Sequence, residues 1–129
     1  MGRGAKVTIT NNSKYVLFTT VPKHEGMWTD GKEGSDFLPL IGEVKPGETR
    51  PANKPQYLEA KGKTFSSSSF TISIIPQSTE VEFVVTFKAN LFRWKSDTMQ
   101  IYFKPLVLDV RITEGNQDRI ELIISEDEN

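Results

Sequence analysis

The fold is decided by the stretch Val81-Glu82-Phe83-Val84-Val85-Thr86-Phe87-Lys88-Ala89-Asn90-Leu91-Phe92-Arg93-Trp94. In its first half an apolar residue occupies every second position, namely Val81, Phe83, Val85 and Phe87. A period of two, carried by aromatic and β-branched residues, is typical of a β-strand with one face in the core. The stretch therefore predicts a half-buried strand, and its second half breaks the alternation just past the strand end.

The same alternation recurs along the chain and predicts the other strands. It occupies residues 6–10, 15–21, 70–75, 99–103, 106–113 and 120–125, with a further short strand at 57–60. No segment of about ten residues has the 3.6 period of a helix. We therefore predict an all-β fold, a single-domain antiparallel β-sandwich over residues 1–129. Its predicted core residues are Val7, Ile9, Phe70, Ile72, Phe83, Val85, Phe87, Leu108, Val110, Ile112, Leu122 and Ile124.

The segments between these strands are predicted as turns and loops. Asn11-Asn12-Ser13 is expected to turn, because Asn tolerates a left-handed backbone. Residues 22–34 form a polar loop, and residues 95–98 form another. Residues 36–44 make a short edge strand at most, because a proline and a glycine interrupt them. Pro46-Gly47 is the signature of a type II turn.

Composition and charge restrict the class of partner. The chain has 129 residues, 36% of them hydrophobic, and a formal net charge of -1. It lacks the basic excess that neutralises phosphates, so we expect no nucleic-acid partner. It has no cysteine and no apolar run of membrane-spanning length. We therefore expect a globular cytoplasmic protein without a signal peptide.

The catalytic inventory is short. The chain has one histidine, His24, and no cysteine. Nothing in the sequence places His24 near the serines of residues 66–69, as a Ser/His/Asp triad would require. A lone histidine in a polar loop does not support a zinc site, and the acidic tail is expected to be solvated. A carboxylate pair including Asp97 or Glu114 is the remaining alternative. We expect no enzymatic activity, no metal and no cofactor.

Polar and aromatic residues at three places are candidates for ligand recognition. Asn90, Arg93 and Trp94 combine an amide, a guanidinium and an aromatic ring; in the alternative, Trp94 caps the core and Arg93 is solvated. Trp28 can stack on a sugar, lie at a membrane surface or fold back as a lid. The serine run at residues 66–69 can start the next strand and offer hydroxyls to a ligand.

Three segments resemble fungal fruit-body lectins. The first is Phe-Val-x-Thr-Phe at residues 83–87 with Asn-x-x-Arg-Trp at residues 90–94. The second is Val-Arg-Ile-Thr-Glu-Gly-Asn at residues 110–116 with Leu-Ile-Ile at residues 122–124, similar to the last hairpin of those lectins. The third is Gly-Met-Trp-Thr-Asp at residues 26–30. The resemblance implies an actinoporin-like β-sandwich and a lectin recognising galactose- or N-acetylgalactosamine-type glycans.

The resemblance also implies roles for individual residues. Asn90 falls where these lectins carry a sugar-contacting Asn. Ser66 and Ser67 fall in the region of the family's Gly/Ser-rich sugar-binding turn, although its glycines are replaced here. The shortened segment after Trp94 leaves Tyr102 as the one remnant of a second sugar site. Together with the aromatic and polar candidates above, this gives the predicted carbohydrate-binding set Asn90, Arg93, Trp94, Trp28, Ser66, Ser67 and Tyr102.

Two alternative functions remain open beside the lectin. Fruit-body lectins share their fold with actinoporin-type pore-formers, so a membrane-active β-sandwich is one, with contact through lipid or glycolipid. An amphipathic N-terminal helix is expected in that class, whereas this chain is predicted to enter a strand by Lys6. The other alternative is a structural interaction module. The partners implied by the resemblance are glycans or glycoconjugates, with a homo-oligomeric assembly as in the family.

Overall fold

The structure, a computed structural model, describes residues 4–29, 37–52, 55–60, 68–89, 94–98, 102–103, 105–115 and 117–126. Within these residues the chain forms twelve β-strands, one 3₁₀ turn at Leu38–Leu40 and no α-helix. The strands form two sheets that pack face to face. The prediction of an all-β sandwich is confirmed.

The larger sheet has seven strands in the described part of the chain, in the order β10-β11-β12-β1-β6-β3, with β5 also paired to β1. Their bounds are β1 Gly4–Asn12, β3 Met27–Thr29, β5 Thr49–Arg50, β6 Gln56–Ala60, β10 Tyr102–Phe103, β11 Leu106–Thr113 and β12 Asp118–Glu126. One pairing departs from the predicted antiparallel arrangement. β1 runs parallel to β12, from Ala5 opposite Asp118 to Asn12 opposite Ser125.

The smaller sheet has five strands among the described residues, in the order β4-β2-β7-β8-β9. Their bounds are β2 Leu17–Glu25, β4 Gly42–Val44, β7 Ser68–Pro76, β8 Phe83–Ala89 and β9 Trp94–Thr98. All of its pairings are antiparallel. The predicted strand at residues 81–87 is thus β8, and its alternating apolar side chains face the larger sheet.

The core lies between the two sheets because each strand turns its apolar positions inward. Of the twelve predicted core residues, ten are buried, and Val110 and Ile112 are partly buried. These two lie on β11. Residues 99–101, the first part of the strand predicted at 99–103, lie outside the described residues.

Several segments predicted as loops are strands. Residues 95–98 belong to β9, which is held by backbone pairing to β8. The strand was missed because its polar side chains do not alternate with apolar ones. β2 extends into the predicted polar loop as far as Glu25. Its pairing with β7 shifts register between Thr20 and Lys23. The type II turn is confirmed: Gly47 has φ 82°, and the Glu48 amide donates to the Lys45 carbonyl at 3.0 Å.

The corner between β1 and β2 is organised by Asn11, which the sequence predicted as a turn residue. Asn11 is instead an extended, fully buried strand residue, and β2 crosses to the other sheet. Its side-chain oxygen accepts hydrogen bonds from the Ser13 amide at 2.9 Å and hydroxyl at 2.6 Å. The asparagine of this Asn-x-Ser pattern is therefore part of the folded framework.

Candidate functional site

The predicted sugar-contacting residues are described to different extents. Trp94 is described in full, and the backbones of Trp28 and Tyr102 are described in β3 and β10. The others lie outside the described residues; they are Ser66, Ser67, Asn90 and Arg93. The residues that adjoin three of them in the sequence, Ser68, Ala89 and Trp94, are described.

Three of these neighbours form one row across the smaller sheet. Ser68 on β7 is paired with Ala89 on β8, and Ala89 is paired with Trp94 on β9. All three are at most 3% exposed. Each is joined by one peptide bond to a predicted sugar-contacting residue, respectively Ser67, Asn90 and Arg93. Two segments that are far apart in sequence therefore meet at one place, which we call the Ser68 end of the sheet.

Trp94 is a core residue in this arrangement. Its side chain is 3% exposed, and its ring packs edge-on against Phe70, with centroids 5.7 Å apart and an interplanar angle of 72°. Such edge-to-face packing is a favoured aromatic geometry. The core-capping interpretation of Trp94 therefore fits the structure, and its predicted role as a stacking face for a sugar does not. Its indole Nε1 is buried without a hydrogen-bond partner in the part of the chain that is described.

A series of aromatic rings runs from the surface into the core beside this row. The exposed His24 stacks on Phe37 with centroids 5.1 Å apart, Phe37 lies 5.9 Å from Phe70, and Phe70 stacks on Phe87 at 5.0 Å. His24 is also the strand partner of Phe70 on β7. The lone histidine, predicted as a solvated loop residue, is thus an exposed strand residue that covers Phe37.

The backbones of Trp28 and Tyr102 lie at different ends of the sandwich. Gly26 links Glu25, which pairs with Ser69, to β3, so the backbone of Trp28 follows closely on the Ser68 end. Tyr102 instead pairs with Val107. This end of β11 pairs with the last residues of β12, Ser125 and Glu126. The structure therefore separates the predicted second-site residue from the Ser68–Ala89–Trp94 row.

Charged side chains border the row on the outer face of the sheet. Lys88 pairs with both Ser69 and Lys95, and Ser69 pairs with Glu25. Glu25, Lys88 and Lys95 are exposed. Ammonium groups donate hydrogen bonds and carboxylates accept them. The Ser68 end therefore has a polar border suited to a hydroxyl-rich ligand.

A cavity at the opposite end of the smaller sheet was not predicted from the sequence. It is a cavity of about 250 Å³ that opens to the surface beside β4 and β5, and Arg50 lines it. β4 pairs with β2 at Leu17, which in turn pairs with Pro76, the far end of β7 from Ser68. The density of prolines and glycines in residues 45–55 was the one sequence signal, and it indicated only a loop.

Among the described residues, no group of three or more His, Cys, Asp or Glu side chains is arranged to hold a metal ion. Within the same residues, no helix has the length and apolar character that a membrane crossing requires.

No model of a known protein family matches the chain. A search of curated proteins finds no match either.

Proposed function

We propose that the protein is a carbohydrate-binding lectin for galactose- or N-acetylgalactosamine-type glycans, with its site at the Ser68 end. The observation that carries the proposal is the Ser68–Ala89–Trp94 row. The predicted sugar-contacting residues Ser67, Asn90 and Arg93 adjoin the three members of this row in the sequence. A two-sheet sandwich of this kind is also compatible with the finer, actinoporin-like fold that the resemblance implies.

The chemistry of the site comes from short-range polar contacts. The Asn90 amide can donate to one sugar hydroxyl and accept from another, and the Arg93 guanidinium can donate to sugar oxygens. Serine hydroxyls at Ser66 and Ser67 add donors and acceptors. The proposal no longer uses Trp94 as a stacking face, because that ring is buried. Trp94 instead anchors the start of β9 in the core.

Monosaccharide binding at such a site is expected to be weak. Each hydrogen bond contributes about 0.5–1.5 kcal/mol net, and a Kd near 1 mM corresponds to about 4 kcal/mol. Effective binding then needs several sites on one oligomer, because linked sites raise the apparent affinity. A homo-oligomer, as in the resembling family, is therefore part of the proposal, and sedimentation velocity tests it directly.

A glycan array probed with the purified protein tests the proposal. The expected result is selective binding to glycans ending in galactose or N-acetylgalactosamine. Leakage from glycan-free liposomes without array binding would favour the membrane-active alternative instead. Absence of both activities would favour a structural interaction module.

A further inference from the structure

The cavity at the end of β7 opposite Ser68 has the size of a small-ligand site. Its volume is about 250 Å³, just below the roughly 300–1,000 Å³ of pockets that hold drug-sized ligands. The residues that line it include Glu43, Val44, Glu48, Thr49, Arg50 and Pro51. A ligand of monosaccharide size or smaller fits such a volume.

Arg50 is fixed at this cavity by backbone rather than by a carboxylate. Its Nη1 donates to the carbonyl oxygen of Glu43 at 3.2 Å. Its Nη2 lies where a side chain on Gly42 would be, 3.0 Å from the position of a Cβ atom there. Its Nε is buried and has no partner in the described part of the chain. The guanidinium is thus held in place through Nη1, and its Nε is too buried for a ligand in the cavity to contact.

The acidic residues at the cavity are placed to accept hydrogen bonds. The Glu48 carboxylate is oriented by the Lys45 amide, which donates to its Oε1 at 2.9 Å. The Thr49 hydroxyl is hydrogen-bonded to the Thr10 hydroxyl at 3.1 Å. Within the described residues, neither Glu43 nor Glu48 forms an ion pair with Arg50. Donors and acceptors therefore line the same cavity without cancelling each other.

The charges decide which ligand chemistry the cavity favours. Two carboxylates, at Glu43 and Glu48, repel an anion, whereas the guanidinium of Arg50 repels a cation. A hydroxyl group can satisfy both kinds of side chain, since it donates to a carboxylate and accepts from a guanidinium. We propose that this cavity is a binding site for a small neutral polyol, of the size of one monosaccharide. This site is separate from the lectin site and does not depend on it.

Titration of the labelled protein, followed by amide NMR, tests this proposal. The probes are galactose, N-acetylgalactosamine, mannose and inositol, each raised to concentrations of about tens of millimolar because weak binding is expected. At least one polyol should shift the amide signals of Val44, Thr49 and Ala52. Inorganic phosphate is titrated in the same way as a comparison. If every polyol leaves these three signals unmoved, or if only inorganic phosphate moves them, the proposal is overturned.

An arginine substitution and a matched control sharpen the test. Arg50→Lys keeps the charge but loses the planar fork of donors, so polyol affinity at this cavity should fall about fivefold or more. Arg111→Lys changes an exposed arginine paired with Asp109 on the larger sheet, and it should leave that affinity unchanged. Equal affinity in Arg50→Lys and the original protein would contradict the proposal.

The location of the shifts distinguishes this site from the lectin site. If sugars move Ser68, Ala89 and Trp94 while no polyol moves Val44, Thr49 and Ala52, the lectin proposal is supported and the second site is overturned. A polyol that moves only Val44, Thr49 and Ala52, by contrast, would support the second site without supporting the lectin.

Discussion

The side-chain amide of Asn11 donates a hydrogen bond to the carbonyl oxygen of Val44, 2.9 Å away, and so joins β1 of one sheet to β4 of the other. The same nitrogen donates to the Tyr15 carbonyl at 2.6 Å. The Asn11 backbone also takes part, since its amide donates to Glu48 and its carbonyl accepts from Gly47. One residue thus fixes the corner of the chain and the turn that borders the cavity.

Asn11→Ala is expected to lower the free energy of unfolding by about 2–4 kcal/mol. The substitution leaves buried carbonyl oxygens without their donor, and each unmet group costs about 1–3 kcal/mol. Urea denaturation measures the change. Asn12→Ala, at the exposed neighbouring residue, is the matched control and should change stability by no more than about 0.5 kcal/mol. Similar values for the two variants would contradict the structural role of Asn11.

Phe87→Ala is expected to lower the free energy of unfolding by about 3–5 kcal/mol. Phe87 is fully buried and stacks on Phe70, so its removal leaves a cavity in the core. Phe18→Ala removes the same atoms from a side chain that is 39% exposed. That control should lose much less stability. A loss for Phe87→Ala within about 0.5 kcal/mol would place the ring at the surface.

Alanine substitutions at Gly42 and Gly47 distinguish steric crowding against Arg50 from backbone strain. Gly42 and Gly47 both have positive φ, 134° and 82°, but only Gly42 has Arg50 against the position of a Cβ atom. Gly47→Ala should lose about 1–2 kcal/mol from the strained backbone alone. Gly42→Ala should lose more, and it should also weaken polyol binding at the cavity because it displaces the guanidinium.

Calorimetric unfolding and the polyol titration measure the two effects. Unchanged polyol affinity in a folded Gly42→Ala variant would show that Arg50 is not held as described. A loss of affinity in Gly47→Ala equal to that in Gly42→Ala would show that the turn, rather than the guanidinium, controls the cavity.

Strands with one apolar face were predictable from the sequence, and strands held only by backbone pairing were not. β8 was predicted because Phe83, Val85 and Phe87 repeat at period two and are buried. β9 was missed because exposed Lys95, Ser96 and Asp97 follow Trp94, and its pairing to β8 involves main-chain groups of any residue type. The parallel pairing of β1 with β12 was missed because it joins the two ends of the chain, and local patterns carry no information on such register.

The candidate lectin site was predictable only in part. The sequence pointed to Asn90 and Arg93, whereas the pairing of Ser68 with Ala89 is a long-range contact that no local pattern predicts. The cavity at Arg50 was not predictable. It depends on the Gly42 backbone approaching a guanidinium eight residues away in the sequence, and no motif marks that approach.

Glycan binding by Asn90→Ala is the most direct test of the lectin assignment. Asn90 directly follows Ala89, the last residue of β8, in the sequence. Loss of its amide should weaken binding of galactose-type glycans about fivefold or more, since one polar contact contributes about 0.5–1.5 kcal/mol and its sugar partner is left unpaired. Thermal stability should stay almost unchanged.

The measurement compares three proteins on the same glycan array: the original chain, Asn90→Ala and the control Asn12→Ala, whose asparagine lies at the other end of the sandwich. The lectin assignment predicts that the original chain and Asn12→Ala bind galactose- or N-acetylgalactosamine-ended glycans equally, while Asn90→Ala binds them weakly or not at all. Equal binding by all three proteins, or no glycan binding by the original chain, would contradict it.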